Sequence, residues 1–125
     1  MKLQTILGLV GAVYSAVSFG ASGGPLTGKI KEILVDDSRF GGCMVWVVPG
    51  PETLALDNAC KSAYVSLDCA GDFGTKSSGQ AKLQAAQLAY VTEQSINFYV
   101  DSTKQHNGFC VATNAQNKAP TPATQ

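Results

Sequence analysis

Residues 64–100, YVSLDCAGDFGTKSSGQAKLQAAQLAYVTEQSINFYV, decide the fold. Apolar and polar residues alternate at the start of this stretch, glycines interrupt its centre, an alanine-rich segment follows, and alternation returns at the end. Period-two alternation is typical of a half-buried strand, and the segment between the two alternating runs has the length of a helix. The stretch therefore predicts strand, glycine-rich loop, helix and strand, in that order.

Two strand-like segments precede this stretch and one follows it. The first, residues 27–35 (TGKIKEILV), alternates imperfectly and predicts a strand with a bulge; residues 43–48 (CMVWVV) are apolar throughout and predict a strand covered on both faces. Residues 106–108 (HNG) predict a tight hairpin, because Asn-Gly accommodates positive φ angles, and residues 109–113 follow as the last strand. This order predicts a mainly β, five-stranded OB-fold-like barrel with one α-helix between strands three and four.

The helix should begin at a serine cap, Ser77 or Ser78, and run to about Thr92. One stripe of the helix carries mostly small residues, which we expect to pack closely against the barrel. Its members are Ala81, Ala85, Ala89 and Leu88, and a neighbouring stripe carries Leu83, Ala86 and Tyr90.

The chain begins with the pattern of an exported protein. Residues 1–20 contain Lys2, an almost uninterrupted run of apolar and small residues from Leu3 to Val17, and small residues where a signal peptidase cuts. A membrane anchor is the alternative, but the run is shorter than the roughly 20 residues that span a bilayer. We therefore expect a signal peptide at 1–20, a flexible leader at 21–25, one domain at 21–114, a disordered tail at 115–125, and a secreted or periplasmic location.

The charge balance disfavours nucleic acid as a partner. The chain has nine basic and nine acidic residues, and removing residues 1–20 leaves the acidic residues one in excess. Binding to a phosphate backbone requires a basic surface, which this composition does not provide. No membrane span is expected in the mature chain either, because no later segment is long and apolar enough.

Four cysteines lie beyond residue 20, at positions 43, 60, 69 and 110, and an even count in a small exported chain predicts two disulfides. If residues 63–69 are extended, Cys60 and Cys69 stand roughly 25 Å apart, far beyond the reach of a disulfide. Antiparallel pairing of strands two and three favours Cys43–Cys69 with Cys60–Cys110. The rival set, Cys43–Cys60 with Cys69–Cys110, requires the long loop after strand two to fold back.

Catalytic and metal-binding patterns are weak, so we expect a protein that is not an enzyme and has no cofactor and no metal. Cys43 with His106 could form a nucleophile and base, but a disulfide is the expected state of Cys43. Asp68 and Asp72 lack the alternating acids of a calcium loop, which favours a solvated loop. With a single histidine in the chain, we interpret His106 as a solvated hairpin residue.

The candidate ligand-binding residues are instead aromatic and hairpin residues. Trp46 and Tyr64 have the same parity in neighbouring strands, opposite Cys43 and Cys69, and would form an exposed aromatic patch if that face points outward. The alternative is that the helix or the tail covers them. His106 and Asn107 are the other candidates, because the last hairpin of such barrels borders the ligand face.

The chain resembles the B subunits of AB-type bacterial toxins, especially the pertussis-like and subtilase-like groups. The features that carry this resemblance are the signal peptide before a domain of about a hundred residues, Cys43 opening strand two (GGCMVWVV), Cys69 ending YVSLDC, and QAAQLAYVTEQSINFYV at 84–100. It is also similar to short exported proteins of marine bacteria that end in HNG(Y/F)C, here residues 106–110.

The resemblance implies a non-enzymatic module that binds a cell-surface glycan. A ring-like homo-oligomer, such as a pentamer, is also expected, because pairing the edge strands of a small open barrel between subunits removes their exposed hydrogen-bonding groups. The sugar-binding residues of the toxin subunits do not map onto this sequence, so no site carries over, and the Cys60/Cys110 pair departs from the toxin pattern. The alternative function is a monomeric secreted or periplasmic inhibitor or adaptor that binds another protein.

Overall fold

The computed structural model describes residues 21–37 and 39–117, so the expected signal peptide and residues 118–125 of the expected tail lie outside the described residues. Within the described part, five strands form a closed barrel and one α-helix lies between strands three and four. This confirms the predicted mainly β architecture. The elements are β1 (Gly23–Val35), β2 (Cys43–Val48), β3 (Tyr64–Ser66), α1 (Lys76–Thr92), β4 (Ser95–His106) and β5 (Phe109–Asn117), with a short 3-10 turn at Pro51–Thr53.

The strands follow one another around the barrel in the OB-like order β1-β2-β3-β5-β4, and β4 also pairs with β1. Neighbouring strands are antiparallel except β3 and β5, which run parallel and meet at Ser66 and Val111. The closing seam between β3 and β5 is thus short. No helix in 21–37 or 39–117 has both the length and the apolar character to cross a membrane.

Two strands are longer than predicted. β1 begins at Gly23 because residues 23–29 pair with residues 95–101 of β4, so the predicted flexible leader is wrong for residues 23–25. β5 continues to Asn117 because residues 114–117 pair with the start of β4, so the predicted disorder is wrong for residues 115–117. Both segments have glycine-rich or polar compositions, but backbone hydrogen bonds to β4 outweigh that local tendency.

Side-chain alternation orients the strands as expected in β4 but not in β2. Ile96, Phe98 and Val100 are buried in the core, which confirms the predicted inner face of β4. In β2, however, Trp46 is 39% exposed and Val48 is 44% exposed, so the prediction that β2 is covered on both faces is wrong. The predicted bulge in β1 is confirmed by a register shift between residues 30 and 32.

β3 is shorter than the predicted run of 63–69, because Ala63 and Asp68 have positive φ angles of 74° and 57° that interrupt extended backbone on either side of it. Val65 and Leu67 nevertheless point into the core. The hairpin after β4 is confirmed, with positive φ angles of 53° at Asn107 and 85° at Gly108.

Helix α1 begins one residue after Thr75, whose side chain accepts a hydrogen bond from the backbone N–H of Ser78 at 3.0 Å. The cap is therefore Thr75, not Ser77 or Ser78. The predicted packing stripe is confirmed at Ala89 and partly at Ala85, but it is wrong at Leu88, which is 57% exposed, and at Ala81, which is exposed. The buried residues of the helix are Gly79, Lys82, Leu83, Ala86 and Ala89. The helix packs on β1, β4 and β5. The face that contains Gly79 lies against the backbone of residues 68–69, because only a residue without a side chain fits there.

Both predicted disulfides are confirmed. Cys43 is bonded to Cys69 and Cys60 to Cys110, with Cα separations of 5.5 Å and 5.4 Å, and the rival pairing is excluded. Cys43–Cys69 joins β2 to the segment after β3. Cys60–Cys110 joins the segment before β3 to β5, beside the short closing seam.

Candidate functional site

Four aromatic side chains form a continuous row on the outside of the barrel, which we call the aromatic strip: Phe40, Trp46, Tyr64 and Phe109. The ring centroids are 6.3 Å apart between Trp46 and Tyr64, 6.1 Å apart between Tyr64 and Phe109, and 5.7 Å apart between Phe109 and Phe40. The last two pairs meet edge to face, which aromatic quadrupoles favour. The strip crosses β2, β3 and β5 and ends on the β1–β2 loop.

Strand register explains why the strip forms. Trp46 and Tyr64 are direct partners across β2 and β3, and their strand neighbours Val45, Val47 and Val65 face the core. Cys110 is fully buried, so the preceding Phe109 points outward. The alternative that α1 covers the predicted patch is wrong, because α1 packs on β1, β4 and β5 and Trp46 is 39% exposed.

Polar and charged groups border the strip. The Lys61 Nζ atom lies 5.2 Å from the centroid of the Phe109 ring, in cation–π contact, and the Lys61 backbone N–H donates to the Gly108 carbonyl at 2.9 Å. Burial, and then the negative charge of the nearby Glu32, raise the pKa of the Tyr64 hydroxyl. Tyr64 therefore keeps its proton at neutral pH and can act as a hydrogen-bond donor.

His106 lies outside the strip. Its side chain is 10% exposed, its Nδ1 atom is 2.9 Å from Ser66 Oγ, and its Nε2 atom is 2.9 Å from Asp72 Oδ2. The Nε2 atom is also 3.7 Å from Asp68 Oδ1. The interpretation of His106 as a solvated hairpin residue is wrong, because the fold encloses the imidazole and places polar partners at both nitrogens.

Ser66, His106 and Asp72 follow one another in the order of a catalytic relay, but the serine is not available as a nucleophile. Ser66 is fully buried, and its hydroxyl donates to the Phe40 carbonyl at 3.1 Å. The Asp68 backbone N–H in turn donates to Ser66 Oγ at 3.3 Å. A nucleophilic serine must face substrate with its proton passed to the base. Ser66 instead joins the β1–β2 loop to His106.

Asp68 is also enclosed, so the predicted solvated loop is wrong at this residue. Asp68 is 2% exposed, and its two carboxylate oxygens accept the backbone N–H groups of Asp72 at 2.9 Å and of Phe73 at 3.0 Å. Asp72 lies at the surface, with its side chain 56% exposed. One ligand atom each from Asp68, Asp72 and His106 lies within 4.8 Å of the others, so these residues could hold a metal ion.

The structure thus separates the four predicted ligand-binding residues. Trp46 and Tyr64 lie together in the aromatic strip. His106 lies in the cluster with the two aspartates, and the Asn107 side chain donates to the Arg39 carbonyl, which ties the β4–β5 hairpin to the β1–β2 loop. Sequence reasoning missed Phe109, although an inward Cys110 implies an outward Phe109. It also missed Phe40, whose place depends on the loop fold.

Lys82 is a buried cation between α1 and the barrel. Its Nζ atom donates to the Ala112 carbonyl at 2.7 Å. Burial lowers the pKa of Lys82, the nearby Asp68 carboxylate opposes this shift, and Lys104 adds to it. The folded protein therefore loses the Lys82 proton at a lower pH than the unfolded chain does.

Because of this pKa shift, the free energy of unfolding should vary with pH in the alkaline range. Because the unfolded chain binds more protons between the folded pKa of Lys82 and its ordinary value of 10.5, the free energy of unfolding should rise with pH in that window. Chemical denaturation at about pH 8 and about pH 10 should show wild type gaining stability relative to Lys82→Met. Lys31→Met, in the exposed part of β1, is the matched lysine deletion. A difference between wild type and Lys82→Met that stays constant with pH would contradict the prediction.

Comparison with family models, curated proteins and solved structures finds no match to this chain. The class of the protein therefore rests on its barrel fold and on the aromatic strip. The protein is a closed five-stranded OB-like barrel with two disulfides, and it carries an aromatic strip on the β2-β3-β5 face.

Proposed function

We propose that this protein is an exported, non-enzymatic binding module and that its aromatic strip binds a glycan. The observation that carries the proposal is the position of the strip. It crosses β2 and β3 and ends between the β1–β2 loop and the β4–β5 hairpin. Barrels of the OB type bind oligosaccharides and oligonucleotides on this face, between these two loops.

The chemistry of the strip favours sugars over nucleic acid. Sugar rings present apolar C–H faces that pack on aromatic rings, and hydroxyl edges that need hydrogen-bonding partners. Tyr64, Glu32 and Lys61 place such groups beside the rings. The formal net charge of the chain is zero, so it lacks the positive charge that a phosphate backbone requires. The two disulfides are compatible with an extracellular or periplasmic location, where such glycans occur.

A ring-like homo-oligomer, such as a pentamer, would repeat the strip by symmetry and raise the avidity for a multivalent glycan surface. Exposed strand edges do not supply the reason for such a ring, because the barrel of this chain is closed. The native mass of the mature chain, measured by light scattering after gel filtration, distinguishes a ring from a monomer. A monomer would still carry one strip per chain and leave the glycan proposal intact.

The glycan proposal is tested at Trp46, the exposed end of the strip. The mature chain should bind members of an immobilised glycan panel, and Trp46→Ala should weaken that binding at least tenfold, because the loss of one stacking ring costs about 1.4 kcal/mol or more. Tyr90→Ala, which removes an exposed ring from α1, is the matched control and should leave binding unchanged.

Two results would count against the glycan proposal. One is the absence of wild-type binding across the panel, and the other is equal glycan binding by wild type and Trp46→Ala, with circular dichroism showing that both are folded. In either case the strip would be tested next against protein partners, as the inhibitor or adaptor function requires. A purified protein partner whose binding is lost in Trp46→Ala would establish that alternative.

A further inference from the structure

Asp68, Asp72 and His106 converge at the end of the barrel beside the β4–β5 hairpin, and we call them the Asp–Asp–His cluster. The cluster joins two aspartates from the loop after β3 to the last residue of β4. We propose that it binds a divalent transition-metal ion of the Zn²⁺ class, through His106 Nε2 and one oxygen of each carboxylate. This proposal is independent of the aromatic strip and of glycan binding.

The first step of the argument is the proton on His106. Ser66 has a single hydroxyl proton, and two acceptors lie within its reach, the Phe40 carbonyl at 3.1 Å and His106 Nδ1 at 2.9 Å. When the hydroxyl donates to the Phe40 carbonyl, Nδ1 is the donor in the 2.9 Å contact between His106 Nδ1 and Ser66 Oγ. In the neutral imidazole this leaves Nε2 with a lone pair.

The second step is what that lone pair faces. The Nε2 atom lies 2.9 Å from Asp72 Oδ2 and 3.7 Å from Asp68 Oδ1, and both are carboxylate oxygens. A lone pair directed at two anionic oxygens is repulsive in an enclosed site, where the effective dielectric constant is low. The nine-tenths-buried imidazole therefore needs a positive occupant between itself and the carboxylates, either a proton or a metal ion.

The two distances from His106 Nε2 fit a metal ion. Two ligand atoms about 2.1 Å from a metal are about 3.0 Å apart at a right angle and about 3.4 Å apart at a tetrahedral angle. The observed separations of 2.9 Å and 3.7 Å lie on either side of these values. The Asp72 carboxylate is 56% exposed, so it can adjust without displacing packed atoms, and it leaves a route from solvent to the cluster.

The surroundings of the cluster have the features that orient metal ligands. A metal-bound histidine almost always donates its second N–H to a protein acceptor, and Ser66 Oγ, 2.9 Å from Nδ1, is in position to be that acceptor. Two backbone N–H groups fix the buried Asp68 carboxylate. The Phe73 ring packs edge-on against the imidazole at 5.0 Å. A Cβ atom at Gly41 would lie 2.7 Å from Ser66 Oγ, so a glycine there lets the β1–β2 loop approach.

A proton alone fits the geometry less well than a metal ion. A protonated Nε2 can donate to the Asp72 oxygen at 2.9 Å, but the Asp68 oxygen at 3.7 Å is beyond hydrogen-bond distance. Asp68 would then keep its two backbone N–H donors but make no bond to the imidazole. A metal ion bonds all three ligand atoms at once, and one imidazole with two carboxylates suits Zn²⁺ and its neighbours in the first transition row.

The experiment titrates Zn²⁺ into the untagged mature chain with its disulfides intact, in competition with a chromophoric chelator. Thiolates do not compete for zinc, because all four cysteines are in disulfides. We expect binding of one Zn²⁺ per chain and an affinity at least tenfold lower in Asp72→Ala, whose surface position protects the fold. Asp57→Ala, at another exposed aspartate, is the matched control and should bind like wild type.

Nuclear magnetic resonance of the imidazole separates a metal from a proton. His106 is the single histidine of the chain, so its ring signals are unambiguous. Zn²⁺ should shift the signals of the Nε2 side and leave Nδ1 protonated. Ser66→Ala should weaken Zn²⁺ binding by about ten- to a hundredfold as a positioning effect.

Two outcomes would overturn the proposal. One is the absence of Zn²⁺-dependent change in the His106 signals, which would assign the cluster to a structural ion pair held by a proton. The other is Zn²⁺ binding that Asp72→Ala and Asp57→Ala weaken equally, which would place the ion elsewhere.

Discussion

Replacing Cys60 and Cys110 together by alanine should lower the free energy of unfolding by about 4 kcal/mol. The two residues are separated by 50 positions, and the closed loop contains β3, α1 and β4. Cutting such a long loop open raises the entropy of the unfolded chain, which is the main source of the expected loss. The fully buried Cys110 adds a packing cost when its sulfur is removed.

This disulfide also supports the weakest part of the barrel. β3 and β5 meet through Ser66 and Val111, and the Cys60–Cys110 bond lies beside that seam. We therefore expect faster amide hydrogen exchange at β3 and β5 in the double variant than at the β1–β4 pairing. Urea denaturation of the double variant provides the free energy. A loss below about 1 kcal/mol would contradict the argument from loop closure.

Gly79→Ala should destabilise the fold by about 1–3 kcal/mol, although alanine favours helices more than glycine does. Gly79 lies in the first turn of α1, against the backbone that follows β3. A Cβ atom at this position would lie 2.6 Å from Cys69 Cα and 2.8 Å from Asp68 C, and closer still to the Asp68 carbonyl oxygen. These are backbone atoms held by the Cys43–Cys69 bond, so they cannot move away easily.

The matched control for this prediction is Gly74→Ala. At Gly74 the nearest atom to an added Cβ is Asp68 Oδ2 at 3.9 Å, which is an ordinary contact. Gly74→Ala should leave the free energy of unfolding within about 0.5 kcal/mol of wild type. Thermal denaturation of both variants measures the difference. If Gly79→Ala proved as stable as Gly74→Ala, the close approach of α1 to residues 68–69 would be contradicted.

Local patterns predicted most of the fold because the information lies within a few residues. Alternation at 95–101 puts Ile96, Phe98 and Val100 on one apolar face of the strand, and this face is buried in the core. The Asn107-Gly108 pair accepts positive φ angles by its own chemistry. The ends of β1 and β5 were missed, since their pairing with β4 depends on a strand that lies far away in the sequence.

The candidate sites were predicted less completely. Trp46 and Tyr64 follow from parity in paired neighbouring strands, and the structure places their rings together. Phe40 has no such signal, because it lies in a loop. His106 and Asp72 are 34 positions apart, and their spacing in the sequence matches no metal motif.

The sequence by itself determined the order of strands and helix, the β4–β5 hairpin and, through the reach of an extended strand, the favoured disulfide pairing. Only the tertiary structure decided which stripe of α1 is buried, how far β1 and β5 extend, and that Ser66, Asp68 and Asp72 surround His106. The physical reason is range. Periodicity, turn conformation and covalent reach act along the chain, whereas burial and the convergence of charged groups arise only when barrel closure brings distant segments together.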